Sequence, residues 1–189
     1  MSTSTYVFIA LGLAVLFVAF LFNRLVALRQ AWNRAFADID VQLKLRHDLI
    51  PNLVEAVKGY AAHERGVFTA VTEARARAMG ATGVTDKSAA EGALSGALAN
   101  LFAVAENYPQ LKANQNFLQL QEELGDVENK IAAARRFLNN AAAEYNTAIQ
   151  QFPALLFSSA LGFAPAQMFE LDPSEKITAK EPPKVSFGT

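Results

Sequence analysis

Two histidines, His47 and His63, stand among the acids Asp48, Glu55 and Glu64, and these are the residues whose types could bind a metal or move a proton. A zinc site needs three or four ligands on converging faces. His63 and Glu64 are adjacent, so on a helix they point about 100° apart. Neither HExxH nor Glu-x-x-His spacing occurs. The group therefore reads as solvated polar helix faces, and no catalytic, cofactor-binding or metal-binding residue is assigned. Arg46 and Glu64 are more informative, because each lies at or near an apolar stripe. A buried charge without a partner is costly, so each should be paired or reach solvent, with Arg135 a further candidate partner. A polar layer that sets register inside a helical bundle is the expectation.

Other chemistries lack their residues. There is no GxGxxG, no GxxxxGK[ST] and no GxSxG. The absence of cysteine excludes disulfide scaffolds, thiolate zinc sites and cysteine nucleophiles. Net charge is −1, so no basic field recruits nucleic acid. Neither an enzyme nor a cofactor is expected.

The element that positions everything else is Tyr6–Phe22, YVFIALGLAVLFVAFLF, without a charge, an amide or a proline. As a helix it is about 25 Å long, at the short end for a hydrocarbon core of about 30 Å. Continuation through Asn23 and Leu25 adds length, and Arg24 can snorkel. Residues 1–23 are read as an uncleaved transmembrane anchor; no Lys or Arg precedes the run and no small-x-small cleavage site follows it. Arg24, Arg29 and Arg34 lie on the C-terminal side, which puts the N-terminus outside and the main domain in the cytoplasm.

Beyond the anchor the periodicity predicts an all-α chain. The transmembrane helix continues into an antiparallel four-helix bundle over 24–151, with helices at about 24–49, 51–79, 86–107 and 111–151. Leu25, Leu28, Trp32, Phe36, Ile39, Leu43 and Ile50 form the first stripe. Asp40 and Lys44 make an i,i+4 pair. Pro51 predicts a tight corner at Asp48–Asn52, in preference to one long helix kinked at the proline. The second stripe runs Val54, Val57, Ala61, Phe68, Val71, Ala78, and includes Glu64. Leu94, Leu98, Leu101, Phe102 and Ala105 mark the alanine-rich third helix. The fourth has the cleanest repeat: Phe117, Leu124, Ile131, Leu138, Tyr145 and Phe152 recur every seven residues, a coiled-coil-like seam within the bundle. An apolar segment, 152–171, follows; it is too broken to span a bilayer and should lie near the membrane. Residues 172–189, with Pro173, Pro182 and Pro183, are expected to be an extended tail.

The run AWNRAFADIDVQLKLRHDLIPNLVEAVKGYAAHE (Ala31–Glu64) resembles the signature of the LemA family. So do ENYPQLKANQNFLQLQEEL (Glu106–Leu124), ENKIAAARRFLNNAAAEYN (Glu128–Asn146) and EPPKVSF (Glu181–Phe187). A departure lies at Phe137-Leu138-Asn139, where many members carry tyrosines. The resemblance implies a four-helix up-and-down bundle behind one bacterial membrane anchor, linked to membrane processes and without established enzymatic activity. The expected function is a non-enzymatic, single-pass scaffold that self-associates and organises or shapes membrane. Its expected partners are the lipid bilayer and further copies of the chain; the alternative is an adaptor or regulator of another membrane protein, such as a protease or sensor.

Overall fold

A computed structural model describes residues 3–170; the tail expected at 172–189 lies outside them. The described residues form five α-helices: α1 (Thr3–Lys58), α2 (Arg65–Gly80), α3 (Gly83–Glu106), α4 (Pro109–Lys112) and α5 (Gln115–Gln150). A short 3-10 turn, Ala154–Leu156, follows, and no strand occurs among the described residues. The apolar start of α1 is long enough to cross a membrane, and none of it is buried by the protein. Helix α3 also passes on length and mean hydropathy, but its apolar face, Leu94, Leu98 and Leu101, is core.

The corner expected at Pro51 is not there. Helix α1 runs through Pro51 to Lys58, so the second helix begins at Arg65 and not at residue 51. Proline removes the donor that would bond the carbonyl four residues back. That carbonyl belongs to His47, and Arg75 Nε on α2 donates to it at 2.7 Å. A side chain 28 positions away thus replaces the missing backbone bond. The chain turns instead over Gly59–Glu64, where Tyr60 and Ala61 N–H groups close back on the Val57 carbonyl. Gly83, at φ +77°, adopts the left-handed backbone needed to enter α3 after α2. Asn114 caps α5: its Oδ1 accepts from the Phe117 N–H, and its Nδ2 donates to the Tyr60 hydroxyl.

The helices contribute to two compact units. One comprises 40–133 with 169–170 of the described residues. Its core joins Ile50, Leu53 and Val57 of α1, Phe68 and Val71 of α2, Leu94, Leu98 and Leu101 of α3, Leu111 of α4, and Phe117 and Leu124 of α5.

The other unit comprises 3–39 with 134–168. Leu25 packs there with Ala142, Tyr145, Ile149, Ala154, Phe163 and Ala166. The seven-residue seam of α5 is buried from Phe117 through Tyr145; Phe152 lies beyond the helix end and is exposed. Asn146 pins the following segment twice. Its Nδ2 donates to the Ala166 carbonyl at 2.9 Å, and its Oδ1 accepts from the Ala166 N–H at 2.7 Å. An amide side chain carries a donor and an acceptor on neighbouring atoms, so it can meet one residue's C=O and N–H together. Asn146→Ala is expected to raise amide hydrogen exchange over 157–168 at least tenfold while leaving 65–106 unchanged, as mass spectrometry would show. Unchanged exchange would mean the segment is held without the Asn146 bonds.

The Tyr145 hydroxyl is buried without a hydrogen-bond partner. Burial raises its pKa above 10.0, opposed by the Arg29 cation. Tyr145→Phe should therefore leave stability unchanged or raise it by about 1 kcal/mol. The folded chain holds the phenolic proton more tightly than the unfolded chain. Stability is thus full below pH 10 and falls as pH rises past it, and the phenylalanine variant should lose that part of the slope in urea titrations.

Candidate functional site

Arg46 and His47 on α1 fall between Leu43 and Ile50 on the buried stripe, so both point inward. Glu91 and Ser95 occupy successive turns of α3 beside Leu94 and Leu98. The Glu91 carboxylate is buried and divided between two partners: Oε2 accepts from Arg46 NH1 at 3.0 Å, and Oε1 lies 2.6 Å from His47 Nε2. A carboxylate only accepts, so His47 carries its proton on Nε2 and donates it. Arg46 NH2 donates to Ser95 Oγ at 2.7 Å, and that hydroxyl donates to the Glu91 carbonyl at 3.0 Å. Arg46 Nε lies 2.8 Å from Glu128 Oε1 on α5; the approach is off the N–H axis, so the contact is ionic and not a directed hydrogen bond.

One guanidinium thus links three helices, α1, α3 and α5. Beside it, Lys87 Nζ pairs with Asp40 Oδ1 at 2.6 Å, in place of the Asp40–Lys44 pair expected from the sequence. An open groove of about 300 Å³, lined by Asp40, Lys44, His47, Asp48, Lys87 and Glu91 together with Leu43, Ala78 and Met79, leads to the cluster.

Chemically the arrangement is closed. Both Glu91 oxygens are engaged, so the carboxylate is not a free base, and no hydroxyl or thiol side chain lines the groove. Among the described residues, no group of three histidines or acids could hold a metal.

The sequence-derived candidates separate. His47 is buried and bonded, correcting its reading as part of a solvated face, because Glu91 supplies its partner. His63 is exposed, and Glu55 pairs with Lys58 at the surface. Glu64 is not a core acid. It stands half-buried before the first turn of α2, where the stripe projected from α1 has already ended at the Gly59 turn. Arg46 is paired, as its place on the stripe required. Glu91 was overlooked, although its position three before Leu94 and seven before Leu98 is a signal visible in the sequence.

The chain resembles known proteins over this region. Magnetosome protein MamQ of Magnetospirillum gryphiswaldense is 25% identical over 179 residues, covering 81% of this chain and 66% of the relative. Two MamQ proteins of Paramagnetospirillum magneticum are 24% identical over the same extents. The chain therefore spans just under two thirds of the length of these relatives. The LemA family is matched over residues 35–187, a stretch that contains Arg46, His47, Glu91 and Glu128. With most of its length matched, from within α1 through the whole α5 repeat, the chain belongs to the LemA family.

Proposed function

We propose that this chain is a non-enzymatic, single-pass bacterial membrane protein that self-associates into a scaffold organising or shaping the bilayer. The observation that carries the reading is the continuity of α1, which passes without a break from an apolar stretch of membrane-spanning length into a packed helical core. An antiparallel four-helix bundle formed by α1, α2, α3 and α5 is supported by the shared core and by the short connections over 59–64, 81–82 and 107–114. Arg24, Arg29 and Arg34, close after the apolar stretch, favour a cytoplasmic domain. Relatives named as magnetosome proteins support a place on a membrane-bounded compartment.

Electron cryomicroscopy of the full-length protein in vesicles should show repeating assemblies and altered vesicle curvature. Dispersed single copies on unchanged vesicles, with one stoichiometric partner recovered from native membranes, would replace the scaffold with the adaptor reading.

A further inference from the structure

The segment after α5 is held firmly yet leaves large apolar side chains outside. Phe163 is buried under Phe22, edge to face at 5.5 Å, and under the Arg29 guanidinium at 4.9 Å. Trp32 Nε1 donates to the Gln167 carbonyl, and Ser158 Oγ donates to the Ile149 carbonyl. The segment is thereby fixed to α1 at a definite height. Phe152, Pro153 and Ala154 line a small cleft with Leu21, Arg24 and Leu25, where the apolar stretch ends. Facing away from the unit, Phe152 is 80% exposed, Leu156 72% and Leu155 56%.

We infer that Phe152, Leu155 and Leu156 form a second membrane contact, inserted into the headgroup–acyl boundary of the leaflet from which α1 emerges. The inference rests on the reading of α1 as a membrane span. Residues 21–25 advance along the helix axis by about 6 Å, and the polar interface on each side of a bilayer is about as thick. A segment packed against those residues therefore lies within the interface once Tyr6–Phe22 fills the hydrocarbon. Three adjacent exposed apolar side chains are costly in water and favourable at that depth. Charge agrees: no charged residue occurs over 145–169, and no acid occurs before Asp38, so the surroundings are neutral or cationic beside lipid phosphates. A single helix leaves tilt and rotation free; a second contact beside it fixes both.

The chain lacks cysteine, so one residue at a time can be labelled in the full-length protein. Leu156→Cys, Phe17→Cys and Gln119→Cys would each carry an NBD fluorophore in phosphatidylcholine–phosphatidylglycerol vesicles containing lipids spin-labelled at the headgroup, at acyl carbon 5 or at carbon 12. The Leu156 label is expected to lose at least half its emission to the headgroup and carbon-5 probes and little to carbon 12. The Gln119 label should be unaffected. Quenching at Phe17 without quenching at Leu156 overturns the second contact and leaves the anchor standing. A blue-shifted but unquenched Leu156 label also overturns it, assigning the patch to a second copy of the chain. Absence of quenching at Phe17 removes the membrane-span reading itself.

Discussion

Glu91→Ala is expected to destabilise the unit built on 40–133 by about 3–5 kcal/mol, the range for breaking a buried ion pair by removing one partner. The loss has two parts. Arg46 remains buried with Ser95 and with Glu128, whose side chain is 41% exposed and therefore screened by water. His47 loses its acceptor as well. Urea unfolding of the detergent-solubilised chain, followed by circular dichroism, would measure the shift. Glu128→Ala should cost less than about 1 kcal/mol, since exposed pairs contribute little. Replacing Arg46, His47 and Glu91 together by apolar residues of similar volume should recover much of the loss, because no charge is then stranded. Such a recovery would show that the cluster contributes less to net stability than to the pairing of α1 with α3. A cost below about 1 kcal/mol for Glu91→Ala would mean that the cluster is open to water.

The second large effect is a coupling. Arg75→Ala should cost about 1–3 kcal/mol, because the His47 carbonyl then has neither a backbone nor a side-chain donor. Pro51→Ala restores the helical N–H that can bond the same carbonyl. In the Pro51→Ala background the cost of Arg75→Ala should fall below about 0.5 kcal/mol, which a double-mutant cycle would read as a coupling of about 1 kcal/mol or more. Additive costs would show that Arg75 and the proline gap are unrelated. Pro51→Ala alone should be neutral or stabilising.

These two sites mark where the sequence was and was not legible. The repeat on α5 was plain, because a seven-residue period over Phe117–Tyr145 leaves one face to bury. Arg46 was legible for the complementary reason: a charge on an apolar stripe demands a partner. The identity of that partner was hidden, since Glu91 lies in a helix of alanine and glycine where polar and apolar faces contrast weakly. Pro51 misled because proline's local preference argues for a corner, and the donor that rescues the helix, Arg75, lies on another element. Glu64 misled because a stripe was extended through the turn at Gly59, beyond which helical spacing no longer relates the two sides. The apolar character of 152–171 is plain in the sequence, but the packing of Phe152–Ala154 beside Leu21–Leu25 is a tertiary fact.

The most direct test of the scaffold proposal is the molar mass of the purified full-length particle, measured by light scattering in detergent over a hundredfold dilution and corrected for bound detergent. Self-association through the helical domain requires a discrete multiple of 20.5 kDa that persists on dilution. A mass of one chain at every concentration would contradict it.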